Sequence, residues 1–325
     1  MRQAFRAILF SVLLVSVGWL LYDRYRGPAP VPSIFEDRVV ERAVPASMLL
    51  PHVPDMMVFA GDTIRFDRAD MRERMEREMI AFSYSHSNSL LMLKRSTRIF
   101  PRIEPLLERY GVPDDLKYLM AIESNLDETA YSRAGAAGLW QFMKGVAREY
   151  GLEVSLTVDE RYNLERATEA ACRYLKKSHG MFGDWMTVAA SYNGGINGIT
   201  RRVEGQKQRS ALDLVLVEET SRYMFRILTA KLFFEDPARF GFSLDKSEYY
   251  PCVPPKRTVT VSSSIDDLPG FARRHGLTYA QLRRANPWLR DTRLQAGRGR
   301  TYQIDIPDIE EENKLYMHLA DNQKK

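Results

Sequence analysis

Residues 114–143, with the sequence DDLKYLMAIESNLDETAYSRAGAAGLWQFM, carry the pattern that decides the fold. The stretch opens with a predicted helix that has an aspartate at its cap and negative charge in its first turn. At about 100° per residue, one side of this helix is formed by Leu116, Leu119, Met120 and Glu123. Burial among apolar neighbours raises the pKa of a carboxyl group toward the range that a general acid needs. Glu123 is therefore a candidate general acid; the alternatives are a glutamate that ends the helix in solvent or pairs with a lysine or arginine.

Three elements in order resemble the lytic transglycosylases of glycoside hydrolase family 23. Residues 123–143 match the family's E-S loop and the S-x-x-G-A-x-G-L-W-Q that follows it. AASYNGG at residues 189–195 matches A-A-Y-N-x-G, with one residue more or Ser in place of the second Ala, and EETSRY at residues 218–223 matches E-T-x-x-Y. The lead-in helices resemble the membrane-bound D-type branch of this family. The resemblance implies a mainly α, lysozyme-like catalytic domain over residues 100–245.

The same resemblance implies the site residues. Glu123 would be the catalytic residue, and the residues that contact the glycan would be Ser132, Gly138, Gln141, Tyr192, Asn193 and Tyr223. Gly138 would let a sugar chain pass close to the backbone, and Gln141 would face the cleft from an otherwise apolar helix. Asn193 has a second interpretation as a helix C-cap, and Tyr223 a second one as a core residue. Trp140 is predicted to be core rather than a platform for sugar.

The implied reaction needs a single carboxylate. In the family, the acid protonates the glycosidic oxygen between N-acetylmuramic acid and N-acetylglucosamine, then removes the proton of the C6 hydroxyl so that a 1,6-anhydro ring closes. One position departs from the family pattern: Glu128 stands where a proline is usual, and a second carboxylate there bears on the pKa of Glu123. A hydrolytic lysozyme-type muramidase, with Glu128, Asp127 or Glu219 as the second acid, is one alternative. A non-catalytic wall-binding protein is the other.

Residues 256–308 predict a small β-α-α-β unit that resembles a LysM domain. RTVTV at 257–261 and TYQIDIP at 301–307 are its predicted strands. The G-D-T-L usual after the first strand is missing, and Ser263 to Leu268 stand in its place. This module therefore either binds N-acetylglucosamine-containing chains or only packs against the catalytic domain. Residues 309–325 are expected to form a loose helix or a disordered tail.

The amino terminus predicts export. Residues 7–22 are sixteen uncharged residues flanked by arginines, and as a helix they would span about 24 Å. Residues 1–26 are predicted to be an uncleaved membrane anchor, with a removed signal peptide as the alternative. Residues 27–55, with six prolines, predict a semi-extended tether. The expected location is the periplasmic face of a bacterial cell envelope.

Between the tether and the C-terminal module, all-α structure is predicted. Residues 56–99 are expected to be a helical lead-in, with Pro101 and Gly111 as breaks and no strands between residues 60 and 245. Further helices are predicted over about 136–150, 164–180, 184–193 and 218–235.

Composition limits the partners. A chain of 325 residues that is 45% hydrophobic and 11% aromatic is not disordered throughout. Two cysteines and five scattered histidines predict no disulfide framework, no metal site and no cofactor. The net charge of +5, with a pI near 9.1, favours an anionic polymer or surface. Peptidoglycan glycan strands are the expected partner; nucleic acid has no supporting motif.

Overall fold

The computed structural model describes residues 51–322. The predicted anchor at residues 1–26 and most of the predicted tether at 27–55 lie outside the described residues. Within residues 51–322, none of the helices combines the length and the apolar character that crossing a membrane requires.

The described chain is mainly helical, as predicted, with two short antiparallel sheets. The first part contains β1 (Met56–Phe59), β2 (Asp62–Arg65), α1 (Ala69–Tyr84), α2 (His86–Arg109), α3 (Lys117–Ser124), α4 (Lys144–Glu149), α5 (Leu164–Phe182), α6 (Trp185–Gly194), α7 (Ile196–Gln206) and α8 (Glu218–Glu235). The C-terminal module contains β3 (Arg257–Val261), α9 (Leu268–Arg274), α10 (Tyr279–Ala285) and β4 (Tyr302–Ile306), and α11 (Ile309–Asn322) follows it. The helices predicted over 164–180, 184–193 and 218–235 are confirmed as α5, α6 and α8.

The lead-in predicted to be helical over residues 56–99 begins with a β-hairpin, and the prediction of no strands between residues 60 and 245 was wrong, because β2 lies there. β1 and β2 pair antiparallel, with Met57 opposite Ile64. The turn uses Ala60 and Gly61 at φ 53° and 94°, a backbone conformation that glycine adopts readily and alanine rarely. Each strand has only four residues, too few for a period of two to stand out. Phe59 is fully buried and joins the hairpin to the helical core.

Helix α2 runs through two prolines, of which Pro101 had been expected to interrupt the helical lead-in. Pro101 and Pro105 both lie inside the helix. A proline inside a helix removes a hydrogen bond and costs about 3 kcal/mol. Ile99 and Ile103 are fully buried on the same helix, and each large apolar side chain contributes about 1.5–3 kcal/mol on burial. Packing against the core therefore outweighs the local cost.

Helix α8 is fixed in place by α1. The Phe82 and Phe233 rings meet edge to face at 5.8 Å. Glu78 is almost wholly buried, and Arg222 Nε donates to its Oε1 at 2.7 Å. A buried carboxylate has to be paired, and breaking such a pair is strongly destabilising. This contact holds the first turns of α8, which carry the third sequence element of the candidate site.

The C-terminal module has the predicted β-α-α-β order. β3 pairs antiparallel with β4 in the register Val259 opposite Ile304. Each helix begins at a capping residue: Asp267 accepts from Gly270 N, and Thr278 forms a capping box with Gln281. The core of the module includes its own Leu268, Leu282 and Ile304, all fully buried.

The core of the C-terminal module also contains side chains from the first part of the chain. Val158 is fully buried, and Tyr162 nearly so, in the same apolar cluster as Trp288 and Leu289. The Arg290 guanidinium lies 4.4 Å from the centre of the Tyr162 ring. The helical part and the module belong to one compact unit.

Candidate active site

Glu123 lies in the last full turn of α3, a short helix packed between α2 and α8. Leu119, Met120 and Ala121 on this helix are fully buried. Glu123 itself is only half-buried. Tyr118 and Ile122 are buried as well, so the helix is buried on all sides and not along one face alone, and the Glu123 carboxylate retains partial access to solvent.

The helix that carries Glu123 ends in an unusual backbone. Asn125 and Leu126 follow at φ 51° and 54°, in the left-handed region, and Leu126 is fully buried. An L residue with a branched side chain rarely adopts this conformation, and such strain often marks functional sites. Arg95 Nη1 donates to the Asn125 carbonyl at 2.9 Å and holds the turn from outside.

One tyrosine and two charges of α8 act on the Glu123 carboxyl. Tyr223 Oη donates to Glu123 Oε1 at 2.6 Å, and within the described chain no hydrogen bond reaches Oε2. Burial raises the pKa of Glu123 to about 7; the Tyr223 hydrogen bond and the Arg226 charge oppose that rise, and Glu219 adds to it. At neutral pH the carboxyl is thus divided between its protonated and ionised forms.

The next two carboxylates along the chain face arginines of α2. Asp127 lies 3.5 Å from Arg95 Nη2. Glu128 lies 3.4 Å from Arg98 and 3.7 Å from Arg102. The glutamate that replaces the usual proline is therefore held in ion pairs, and it is not among the charges that shift the pKa of the candidate acid.

Tyr192 lies at the end of α6, against the loop that follows α3. Its hydroxyl donates to the Trp140 carbonyl at 2.7 Å, and its ring meets Tyr174 edge to face at 5.1 Å. Burial, and after it the Glu123 charge, raise the pKa of Tyr192 well above its ordinary value. Trp140 is fully buried and donates to Thr168 Oγ1 at 2.9 Å, so its prediction as a core residue is confirmed.

Asn193 is oriented by the first turn of α8. Thr220 Oγ1 donates to Asn193 Oδ1 at 2.7 Å, which leaves the amide nitrogen on the other side. Thr220 is buried. Asn193 lies inside α6, whose C-cap is Gly195 at φ 74°, so the alternative interpretation of Asn193 as a cap was wrong.

Residues 130–142 form a tight loop, whereas a helix was predicted to begin near residue 136. Helix α4 starts only at Lys144. Before it, Ala137 forms isolated bridges with Tyr131 and Phe142. Gln141 takes φ 48°, and its Nε2 donates to the Gly138 carbonyl at 2.8 Å. Apolar spacing suggested a helix, but the segment lacks helical backbone because these cross-loop bonds replace it.

Ser132 and Gly138 shape this loop from within. Ser132 Oγ accepts from Ala136 N at 3.0 Å. A Cβ on Gly138 would lie 1.8 Å from the Arg161 carbonyl oxygen, and its φ is +74°. The close approach that Gly138 permits within the fold is therefore to the Arg161 backbone, and its contact with a sugar chain stays a prediction.

The structure brings together some of the predicted residues directly. Glu123, Tyr223 and Tyr192 act on one another electrostatically. Asn193 accepts a hydrogen bond from Thr220, which lies on the same helix as Tyr223. Ser132, Gly138 and Gln141 belong to the adjoining loop and make their hydrogen bonds and packing contacts there.

Sequence reasoning missed Thr220, Arg226 and Arg161. Thr220 is the threonine of the third quoted element, but no role in the site was assigned to it. Arg226 follows Tyr223 by three residues, a spacing that places both on one helix face. Arg161 gave no local signal. Among residues 51–322, no group of three or more histidine, cysteine, aspartate or glutamate side chains is placed to hold a metal ion.

Two protein families match the chain. The family described as Transglycosylase SLT domain matches residues 103–215. The family described as Soluble lytic transglycosylase C-terminal LysM-like domain matches residues 257–310. Together they include the candidate site up to α7 and the whole C-terminal module.

The chain is also similar to individual curated proteins. Membrane-bound lytic murein transglycosylase D of Escherichia coli strain K12 is 26% identical over 250 residues, which are 74% of this chain and 54% of that protein. A putative tributyltin chloride resistance protein of Alteromonas sp. strain M-1 is 30% identical over 117 residues, 34% of this chain and 56% of that protein. The chain spans about half the length of these curated relatives.

One solved structure shows a weaker likeness. An inactive mutant of lytic transglycosylase Slt from Pseudomonas aeruginosa aligns with a TM-score of 0.36 at 18% identity. The alignment covers 56% of this chain and 33% of that one.

Proposed function

We propose that this chain, which carries a transglycosylase SLT domain and a LysM-like C-terminal domain and is homologous to membrane-bound lytic murein transglycosylase D, is a peptidoglycan lytic transglycosylase. Its substrate would be the glycan strand of the bacterial cell wall. The bond that it cleaves would be the β-1,4 bond from N-acetylmuramic acid to N-acetylglucosamine.

The observation that carries this proposal is the Glu123 carboxyl. It is half-buried beside apolar side chains, it has a pKa of about 7, and Tyr223 holds one of its two oxygens. A group that must donate a proton and later accept one works best when its pKa is near the working pH. The free Oε2 is then available to meet the substrate.

The proposed chemistry uses this one group twice. Protonated Glu123 gives its proton to the glycosidic oxygen as the bond from C1 to that oxygen breaks. The N-acetyl group of the same sugar stabilises C1 in the role that a second carboxylate plays in most glycosidases. Ionised Glu123 then takes the proton of the C6 hydroxyl as its oxygen bonds to C1. Glu123 ends in its original protonation state, with the proton taken from the C6 hydroxyl, and no water is consumed.

The remaining candidate residues would position the sugar. Asn193, with its amide nitrogen left free by Thr220, would donate to the substrate beside the reacting bond. Gln141 and Ser132 would line the saccharide path from the loop of residues 130–142. Tyr192 and Tyr223 would support the site without contacting the sugar through their hydroxyls. Those hydroxyls already donate to the Trp140 carbonyl and to the catalytic carboxylate.

Product analysis tests the reaction. Isolated peptidoglycan digested with the native protein should release muropeptides that end in 1,6-anhydro-N-acetylmuramic acid, lighter by one water than hydrolytic products. Glu123→Gln should lower turnover by about 10²–10⁴-fold or more while the protein remains folded, because the amide carries no transferable proton. Glu128→Gln is the matched control and should lose far less. A Glu128→Gln variant without activity beside a largely active Glu123→Gln would contradict the assignment.

A hydrolytic muramidase is the second candidate, and one observation favours it. The Glu219 charge acts on Glu123 and raises its pKa, so a second carboxylate is present near the acid. Glu219 is exposed in the first turn of α8, where it could hold a water molecule. Reducing-end products from the native protein would move the chain to this class.

The proposed location is the cell envelope, with residues 1–26 retained as a membrane anchor. The motivation is the charge-flanked apolar run without a good cleavage site after it. The intact mass of the protein from the membrane fraction tests this. A soluble mature form that begins near Pro30 would contradict it.

The C-terminal module is proposed to be a LysM-like unit that packs against the catalytic domain. Calorimetry with N-acetylglucosamine oligomers tests whether the module itself binds sugar. Heat of binding that survives Glu123→Gln and disappears on changes in residues 263–268 would assign sugar binding to the module.

A further inference from the structure

Residues 157–159 form one of the segments that join the C-terminal module to the loop beside the candidate site. Asp159 N donates to the Trp288 carbonyl at 2.9 Å, and Arg290 N donates to the Thr157 carbonyl at 2.8 Å. Between them, Val158 is fully buried in the core of the module. The segment therefore pairs with the module as an added piece of strand, and its position depends on the module.

Two ion pairs close the same contact at its edge. Arg300 Nε lies 3.3 Å from Glu153, and Arg300 Nη1 lies 3.3 Å from Glu160. The Tyr302 hydroxyl donates to Glu153 Oε2 at 2.9 Å. Residues on both sides of the 157–159 segment are thus tied to strand β4 and the turn before it.

Asp159, at the end of this segment, fixes the position of the Arg161 side chain. Its Oδ1 accepts from Arg161 Nε at 2.9 Å, and its Oδ2 accepts from Nη2 at 2.7 Å. The two side chains are only 10% and 6% exposed. A two-point contact between a carboxylate and a guanidinium fixes the direction of both planes, and burial removes the competing water.

The third nitrogen of the Arg161 guanidinium donates to the loop beside the site. Its Nη1 donates to the Gly135 carbonyl at 2.7 Å and to the Phe142 carbonyl at 3.0 Å. The Arg161 carbonyl fills the space where a side chain of Gly138 would stand. One residue therefore holds both ends and the middle of residues 135–142.

We propose that Arg161 is a positioning residue for the saccharide path: it fixes residues 135–142, and the C-terminal module holds Arg161 in place through residues 157–159. This inference rests on the proposed function, because that loop carries Gln141. The module then supports catalysis by its packing, whether or not it binds sugar itself.

The test is Arg161→Lys in the full chain. Lysine keeps the positive charge beside Asp159, but a single nitrogen cannot serve the carboxylate and two carbonyls in the guanidinium geometry. Hydrogen exchange should become faster in residues 130–143. With glycan strands as substrate, KM should rise about 10-fold while kcat falls less than about 3-fold, since substrate positioning is weakened and the acid is untouched. The fall of kcat/KM at high pH should stay where it is, because Arg161 is not among the groups that act on Glu123.

A milder variant and a control make the test independent of the stability of Arg161→Lys. Arg300→Ala removes the ion pairs at the edge, from a side chain that is 40% exposed. As in Arg161→Lys, hydrogen exchange in residues 130–143 should become faster. KM should rise about 2- to 5-fold. Arg293→Ala in the same module removes only a pair with Asp291 and should match the native protein.

Two results would overturn the inference. One is a folded Arg161→Lys, or Arg300→Ala if the first fails to fold, with native exchange in residues 130–143 and native KM. The other is a loss of kcat with a displaced pH profile, which would mean that Arg161 acts on the acid. Failure of the proposed function is separate: it would appear as a native protein without anhydro products, and the exchange measurement needs no substrate.

Discussion

The protonation of Glu123 is set by the balance between burial and a single strong hydrogen bond. Burial raises its pKa, and Tyr223, which donates at 2.6 Å, lowers it. A fully buried carboxyl without a donor would remain protonated and could not act as a base. A solvated one would be ionised at neutral pH and could not act as an acid. The pair of residues therefore gives one group access to both states.

The raised pKa of Glu123 predicts how stability changes with pH. The carboxyl titrates near 4.5 in the unfolded chain and near 7 in the fold, so between these values the unfolded chain releases the proton first. The free energy of unfolding should therefore fall by up to about 3 kcal/mol from this group as the pH rises from 4.5 to above 7. Glu123→Gln has no such proton, so its free energy of unfolding should not show this fall. The difference in free energy of unfolding between the variant and the native protein should therefore be larger, in favour of the variant, at pH 8 than at pH 4.5 by the same amount. Urea unfolding at both pH values measures this, and native and variant curves that change in parallel would argue against it.

Tyr223→Phe should move the pH dependence of activity. The change removes the hydrogen bond that favours the ionised carboxyl, so the pKa of Glu123 should rise. The fall of kcat/KM on the alkaline side should then move to higher pH, and kcat should drop because the ionised form is needed for ring closure. In Tyr192→Phe, the lost hydroxyl bonds only to the Trp140 carbonyl, so the alkaline side should keep its position. A shift to lower pH in Tyr223→Phe would refute the balance described above.

Single residues differ in how far the sequence predicts them. Glu123 became a candidate because its place among apolar positions of a helix is visible in the spacing, and the resemblance then assigned it the catalytic role. Asn193 was placed by its resemblance to a motif, but its orientation depends on Thr220, which is 27 positions away. Arg161 is found only in three dimensions, because its partners Gly135 and Phe142 lie 26 and 19 positions away. Spacing along one helix is a local property, and long-range hydrogen bonds leave no such trace.

At the scale of elements, the loop of residues 130–142 depends on a contact between two backbones. Gly138→Ala should lower the free energy of unfolding by at least about 3 kcal/mol, because its Cβ would overlap the Arg161 carbonyl at 1.8 Å. Gly135→Ala has a similarly unfavourable φ of +89°, but its Cβ would be 3.5 Å from the nearest atom, Tyr131 Oη. It should therefore cost only about 1–2 kcal/mol from the backbone conformation. Denaturant unfolding of the two variants separates overlap from conformation, and equal losses would mean that the overlap relaxes.

Helices α5, α6 and α8, which contain no proline, were predicted best. Helix α8 was located to the residue at both ends, and the order of the C-terminal module was confirmed. The errors arose where tertiary contacts overrule local preference. Helix α2 continues through Pro101 because both flanks are buried. The segment around Trp140 forms a loop held by the hydrogen bonds that Arg161 donates to the Gly135 and Phe142 carbonyls. The β-hairpin at the start was too short to have a period.

At the scale of the whole molecule, the two parts should unfold together. The helical part and the C-terminal module have separate apolar clusters, but Ala137, Val158 and Tyr162 of the first part lie in the second cluster. Leu282→Ala, in the core of the module, removes a fully buried side chain and should cost about 2–5 kcal/mol. Hydrogen exchange of peptides from α5 and from β4 should then accelerate together. Faster exchange confined to the module would show that the two parts unfold independently.

The insertion of Val158 into the C-terminal module also limits how this module can be exchanged between proteins. Small binding modules are transferable when their surfaces are complete by themselves. Here the surface around Leu289 and Trp288 is completed by residues 157–162 of another part of the chain. A chimaera built by cutting at residue 256 would expose an apolar patch and unpaired backbone groups, the features that promote aggregation. In recombination, natural or designed, the working unit is residues 257–307 together with the distant segment at 157–162.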